Sequence, residues 1–252
     1  MELDYGPHED FMKNLYLVSA AIVAFASLSF ADPTMELTGV GDSALFNNVY
    51  VDPYTATVNG VPNVMVLCDD WSNNTYFYET WQYKAINLST VGTQGMPMFG
   101  NKQPLYTEEA WLASQLWANP TDYTTQVEVS FAMWDLTYGA NGTYKDPTPP
   151  LTYMQNYLGA GYATNALYIG TMNLINEAPT ASVGFNTQGW EILTPDLGTS
   201  NPAGDGLPQE FLTYAGVPEP SSWCGIFAFG LVGLLWAWRR PASAAPGTVR
   251  SR

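Results

Sequence analysis

A cysteine followed by two aspartates, in the segment VLCDDW, is the part of the sequence whose residue types suggest chemistry. Cys68 is one of two cysteines, and the other, Cys224, lies in an apolar run near the C-terminus. A disulfide between them is not expected, because we predict one in a folded domain and the other in a membrane segment. Cys68 is therefore predicted to be a free thiol, which is either reactive or a small buried hydrophobic side chain.

Asp69 and Asp70 place two carboxylates side by side after this cysteine. Calcium binds roughly six to eight oxygen ligands, so the pair is a calcium candidate. The surrounding spacing matches neither an EF-hand loop nor a calcium-binding repeat. The alternative is a solvated turn or a strand edge, and no other metal site is predicted.

An aromatic segment follows, and its rings could stack on sugars or fill a core. Side chains two residues apart on a strand share a face, which would place Trp81 and Tyr83 together. Within thirteen residues the segment contains Trp71, Tyr76, Tyr78, Trp81 and Tyr83.

The composition excludes several classes of function. The one histidine, His8, lies in the N-terminal leader, so the body can form neither a Ser-His-Asp nor a Cys-His catalytic site. Between residues 32 and 220 there are nineteen acidic residues, three lysines and no arginine. Such a surface repels phosphate, which excludes nucleic-acid binding by charge neutralisation. No pair of catalytic carboxylates can be assigned, and we predict neither an enzyme nor a cofactor.

The elements that must position these residues follow from the hydrophobic pattern. Short alternating runs in the first third of the body predict strands, with a hairpin turn at Asn59-Gly60. The segments GWEILTPD and GLPQEFLTYAG predict closing strands.

Helices are predicted between these two groups of strands. LYTEEAWLASQLWANP predicts a helix capped by Thr107, and DYTTQVEVSFAMWDLTYGANG predicts a second helix. Residues 151–177 predict one or two more. The sequence therefore predicts an α+β fold, in which an antiparallel β barrel or sandwich carries a helical insertion.

The N-terminal stretch has the layout of a secretory signal peptide. Residues 12–31 contain one lysine, an uncharged apolar run and small residues at Ser29 and Ala31. Cleavage is predicted between Ala31 and Asp32. Four acidic residues precede Met12, so we predict that translation starts there, and that residues 1–31 are leader and signal peptide before an exported domain at 32–216.

The C-terminal stretch is long enough to span a membrane. Trp223 to Trp238 are sixteen uncharged residues, about 24 Å of helix, and flanking residues extend it to a predicted transmembrane helix at about 222–238. Arg239 and Arg240 favour a cytoplasmic C-terminus, with residues 242–252 as a basic tail and the acidic body outside.

The order of these features resembles the PEP-CTERM sorting signal of Gram-negative bacteria, here at residues 217–241. The tripeptide Pro218-Glu219-Pro220 follows Val217 and precedes the apolar helix and Arg239-Arg240. The resemblance implies export by the Sec translocase and signal peptidase, anchoring in the inner membrane, and processing by an exosortase. The mature protein would then reach the outer surface or the medium.

Two body segments, VLCDDW and VSFAMWDL, resemble the thioester domains of Gram-positive surface adhesins. There a cysteine forms an acyl bond with a glutamine that precedes an Ala-hydrophobic-Trp sequence. The resemblance matches Cys68 and Trp134, but Ser130 occupies the glutamine position. Gln126 lies one helical turn earlier, about 6 Å along the axis, and is a poor substitute.

Two functions are consistent with these observations. The first is a non-catalytic surface or extracellular-matrix protein that associates with exopolysaccharide or other envelope components. The alternative is a covalent adhesin that uses Cys68 and a glutamine outside the motif.

Overall fold

The computed structural model describes residues 32–93, 95–138, 148–196 and 207–214. Within these ranges, six strands close into an antiparallel barrel, and four helices and a two-stranded hairpin accompany it. The predicted signal peptide, the sorting signal, the transmembrane helix at 222–238 and the basic tail lie outside the described residues. None of the described helices combines the length and hydropathy that crossing a bilayer requires.

The strands form two groups in the sequence, six before the helices and two after them. They are β1 (Thr34–Val40), β2 (Leu45–Phe46), β3 (Val49–Tyr50), β4 (Tyr54–Val58), β5 (Val61–Cys68), β6 (Thr80–Asn87), β7 (Trp190–Pro195) and β8 (Phe211–Tyr214). The barrel order is β1-β4-β5-β8-β7-β6, and β2 pairs with β3. The sequence pattern did not distinguish a barrel from a sandwich, and the observed sheet is a closed barrel.

The hairpin between β4 and β5 forms where the sequence predicts it. Asn59 and Gly60 have φ angles of 51° and 76°, and the flanking Val58 and Val61 are paired. Two consecutive positive φ angles define the tight turn whose twist matches that of the strands. The turn fixes the register that carries Cys68 to the end of β5.

Alternation along the strands fills the barrel with apolar side chains. Met35 and Leu37 of β1 are buried, as are Trp81 and Tyr83 of β6. These four side chains pack with Phe211 of β8 in one cluster. The rings of Trp81 and Tyr83 therefore belong to the core and not to a sugar-binding surface.

The helices occupy the insertion that the sequence predicts between β6 and β7. They are α1 (Gln103–Ala118), α2 (Tyr123–Thr137), α3 (Pro150–Leu158) and α4 (Ala166–Ala181). The prediction of Thr107 as a cap is wrong, because α1 begins one turn earlier with a proline in its first turn. The Thr107 hydroxyl instead donates to the Gln103 carbonyl at 2.9 Å.

Helix α2 is the centre of the helical layer. Nine of its fifteen residues are buried, and they include Gln126, Ser130, Trp134 and Thr137. A helix that is buried on most of its surface must be enclosed by several neighbours. Its side chains pack in two clusters, one against the barrel and the other against the β2-β3 hairpin and α3.

Candidate functional site

Cys68 lies at the end of β5 with its side chain inside the barrel core. The thiol is free and buried, and its Sγ lies 3.4 Å from the Asp70 carbonyl oxygen. Burial, followed by the charges of Asp70 and Asp69, raises the pKa of the Cys68 thiol well above its ordinary value. A thiol in this environment is a poor nucleophile, because the thiolate is the reactive form.

Helix α2 attaches to the backbone beside this cysteine through two side chains. Trp134 Nε1 donates to the Cys68 carbonyl at 2.9 Å, and Thr137 Oγ1 donates to the Asp69 carbonyl at 2.6 Å. The structure therefore brings together the cysteine and the tryptophan of the two motifs.

The remaining motif positions have other partners. Ser130 Oγ donates to the Val51 carbonyl at 2.8 Å. Gln126 Nε2 donates to Asp42 Oδ1 at 2.9 Å, at the opposite end of α2 from Trp134. Eight residues of helix separate Gln126 from Trp134, which is about 12 Å along the axis. That Gln126 is a poor substitute for the missing glutamine stays a prediction.

A different glutamine, Gln209, lies beside Cys68. Gln209 Nε2 donates to the Asp70 carbonyl at 2.8 Å, the same oxygen that Cys68 Sγ approaches. Sequence spacing gave no signal for this pair, because Gln209 follows Cys68 by more than a hundred residues. Pairing of β5 with β8 brings the two segments together.

Asp70 and Asp69 are buried but differ in their partners. The Asp70 carboxylate accepts hydrogen bonds from Ser72 N, Asn73 N and Asn73 Nδ2, at 2.9, 3.3 and 2.6 Å. No amide or hydroxyl donor of the described residues reaches either carboxyl oxygen of Asp69. Asp70 therefore closes a turn, whereas Asp69 depends on a different group.

The partner of Asp69 is Glu109, a fully buried residue of α1. No N–H donor of the described residues reaches the Glu109 carboxyl oxygens. Two carboxyl groups can share a hydrogen bond only when one of them is protonated. Burial raises the pKa of both residues well above the ordinary values, which favours the shared proton.

Glu210 is the third acid of this buried cluster. Tyr106 Oη donates to Glu210 Oε1 at 2.6 Å, and Met98 N donates to Glu210 Oε2 at 2.7 Å. Burial raises the pKa of Glu210 to about 7, although these donors oppose the shift. The sequence analysis missed Glu109 and Glu210, since neither stands in a motif.

The calcium candidate at Asp69 and Asp70 stays a prediction. The described residues contain no group of three or more histidine, cysteine, aspartate or glutamate side chains placed to hold a metal ion. The carboxyl groups of the two aspartates have different partners, a turn for Asp70 and Glu109 for Asp69.

The aromatic segment divides between core and surface. Trp71 is half-buried against Phe131 and Trp134, whereas Tyr76 and Tyr78 are exposed, Tyr78 to 75%. Only the two tyrosines remain of the five rings considered for sugar binding.

The C-terminal region of the sequence contains a recognisable motif. Residues 216–240 match the family model of the PEP-CTERM protein-sorting motif. The chain carries a PEP-CTERM sorting motif.

The PEP-CTERM motif marks this chain as an exported surface protein, with an exosortase as its processing partner. Its residues Val217 to Pro220 and Arg239-Arg240 lie outside the described part of the structure, as does the predicted cleavage at Ala31.

Comparison of this chain with solved structures gives the N-terminal thioester domain of the fibronectin-binding protein SfbI from Streptococcus pyogenes. The identity is 13%, the TM-score is 0.43, and the match covers 74% of this chain and 94% of the other. A similarity of this size assigns no function. None of the curated proteins matches the sequence.

The buried acids make the stability of this protein dependent on pH. Their folded pKa values are raised, so the folded state holds protons that the unfolded state releases, and stability falls as pH rises. For Glu210 this loss falls in the pH window from 4.5 to about 7, and it lowers the free energy of unfolding by about 3 kcal/mol. We expect the midpoint of thermal unfolding to be higher at the lower end of this window than above it.

The Glu109→Gln variant tests the origin of this dependence. Its amide can donate to Asp69 without a proton, so the decline with pH should become shallower. Glu177→Gln removes an exposed carboxylate of α4 and is the matched control. Equal slopes in Glu109→Gln and the unmodified protein would contradict the assignment.

Proposed function

We propose that this chain is a non-catalytic protein of the cell surface or extracellular matrix that associates with exopolysaccharide through non-covalent contacts. The PEP-CTERM motif at residues 216–240 is the observation that carries the proposal. The composition of the body supports this proposal, since the body has no histidine and its sequence assigns no pair of catalytic carboxylates. In a Gram-negative cell, the predicted helix at 222–238 would hold the protein in the inner membrane before exosortase processing near Pro220.

The sorting step predicts two molecular species in the producing cell. The intact mass of the extracellular protein should correspond to a chain that starts near Asp32 and ends near Pro220. Replacing Glu219 with Ala should leave the full C-terminus on a protein confined to membranes. Replacing Arg250 and Arg252 with Gln changes the tail outside the motif and should leave sorting intact. A full-length protein in the medium would contradict the proposal.

Association with a polysaccharide is supported by a group of rings at one rim of the barrel, which we name the aromatic rim: Tyr50, Tyr54, Phe77 and Tyr78. Neighbouring rings are 5.9 to 6.5 Å apart. Tyr78 N donates to the Leu37 carbonyl at 2.8 Å, which fixes the segment to β1. Aromatic faces that reach solvent provide stacking surfaces for sugar rings.

The backbone conformation of Tyr78 indicates that the aromatic rim has a role other than stabilising the fold. Tyr78 has a φ angle of 68°, a conformation that costs a bulky residue about 1 kcal/mol or more. The strain places a ring with 75% exposure at the surface, where it contributes little burial. A residue that costs stability without filling the core is a candidate for binding.

The Tyr78→Gly variant separates binding from stability. Glycine adopts this φ without strain, so the midpoint of thermal unfolding should stay the same or rise by a few degrees. Co-sedimentation with exopolysaccharide extracted from the producing cells should fall several-fold. Tyr157→Ala removes another exposed ring, on α3, and should bind normally. If Tyr78→Gly binds the exopolysaccharide as well as the unmodified protein does, the aromatic rim is not the binding site.

A covalent adhesin is the second candidate, and the position of Gln209 favours it. Attack of Cys68 Sγ on the Gln209 carboxamide carbon would form an S–C bond, break the C–N bond and release ammonia with the thiol proton. The same intact-mass spectrum tests this reaction. We expect the unmodified mass because burial disfavours the thiolate. A loss of one ammonia that Gln209→Asn abolishes would instead support the adhesin.

A further inference from the structure

A second group of oxygen atoms surrounds the loop that connects β1 to β2. Gly41 N donates to the Pro53 carbonyl at 2.9 Å, and Ser43 N donates to Asp52 Oδ2 at 2.9 Å, so the loop folds over Asp52. Asp52 is only 2% exposed, and its Oδ1 has no donor among the described residues. A buried carboxylate oxygen without a partner is costly unless a cation or a proton reaches it.

Gln126 is a second buried side chain beside this loop, and its amide nitrogen faces the loop. Its Nε2 donates to Asp42 Oδ1 at 2.9 Å and to the Pro120 carbonyl at 2.7 Å. The side chain is fully buried, and its Oε1 has no donor. The amide therefore lies between two acceptors while its own acceptor is unused.

Rotation of this amide by half a turn converts the arrangement into a cation site. Nitrogen and oxygen of a glutamine amide have nearly the same shape, so Oε1 can occupy the present position of Nε2. Three oxygens, from Asp42, Pro120 and Gln126, would then lie 2.7 to 2.9 Å apart along two edges. Oxygens that share a calcium ion at roughly 2.4 Å have comparable separations.

We propose that Asp42, Asp52, Gln126 and the Pro120 carbonyl bind a calcium ion. Two carboxylates and two neutral oxygens supply four ligands of the hard type that calcium prefers. Ser43, the residue after Asp42, donates its N–H to Asp52 Oδ2 at 2.9 Å, which places the Asp52 carboxyl group beside the loop that carries Asp42. A divalent cation would offset the negative charge of the two carboxylates.

Water can complete the coordination from an adjoining cavity of about 250 Å³. Asp42 and Pro120 both line this cavity, and Asp42 is exposed. The ion therefore has a route from solvent and room for its remaining water ligands. The Asp122 carboxylate, which accepts a hydrogen bond from Thr125 N at 2.9 Å, offsets the positive end of α2 nearby.

Calorimetric titration of the full-length protein with calcium chloride, after removal of metal with a chelator, tests the site. We expect one saturable site in the range of extracellular calcium modules, on the order of 10⁻⁴ to 10⁻³ M, and a higher midpoint of thermal unfolding with calcium. Magnesium should bind at least tenfold more weakly, because it demands a stricter octahedral geometry. No binding by the unmodified protein at ten times that range, about 10 mM, would overturn the proposal.

Two single variants and a control locate the ion. Asp42→Asn keeps an acceptor for Gln126 and removes the charge, and it should weaken calcium binding at least tenfold; Asp52→Asn should do the same. Glu177→Gln removes an exposed carboxylate on α4 and should bind as the unmodified protein does. Undiminished binding in both aspartate variants would place the ion elsewhere and overturn the proposal.

Gln126→Glu distinguishes a calcium ligand from a simple hydrogen-bond donor. Without calcium, the new carboxylate faces Asp42 and the Pro120 carbonyl, so the protein should be destabilised. With calcium it provides a charged ligand, so affinity should rise several-fold and stability should recover. If calcium does not restore stability, Gln126 is only a donor and the site is wrong.

Discussion

The burial of helix α2 is the constraint on which the rest of the structure depends. A helix enclosed on most sides cannot leave the polar groups around it to water, so each must find a partner within the protein. Ser130, Trp134 and Thr137 donate to carbonyl groups of the segments that the helix covers. These bonds fix the position of α2 along the barrel, because a shift by one residue would break all three. Cys68 is enclosed as a consequence.

The same enclosure explains why the acids beside α1 retain protons. The described residues include two lysines and no arginine, so a buried carboxylate has few cations available as partners. Burial raises the pKa of both Asp69 and Glu109, which favours a proton shared between them, whereas Glu210 accepts hydrogen bonds from a hydroxyl and a backbone amide. Apolar side chains of similar volume could fill this space. The acids make stability responsive to pH, which an apolar contact between the barrel and α1 would not.

Local patterns predicted local structure, whereas the site depends on pairings distant in sequence. The hairpin at Asn59-Gly60 and the two closing strands were predicted because turn chemistry and alternation are read from neighbouring residues. Thr107 was misassigned because a proline earlier in the segment starts the helix first. The interaction of Asp69 with Glu109, and the approach of Cys68 and Gln209 to one carbonyl oxygen, follow from which strand and helix faces meet. The spacing of residues in the sequence does not show which of these faces meet.

The aromatic rim and the proposed calcium site are neighbours through Tyr54. Tyr54 belongs to the rim, with its ring 6.5 Å from that of Phe77, and it also lines the cavity beside Asp42. The body is strongly acidic and would repel an acidic polysaccharide. A calcium ion held at Asp42 would lower that repulsion where the rings reach solvent, and its exchangeable water positions could accept sugar oxygens. A strained tyrosine and a buried glutamine whose Oε1 has no donor would then serve one binding surface.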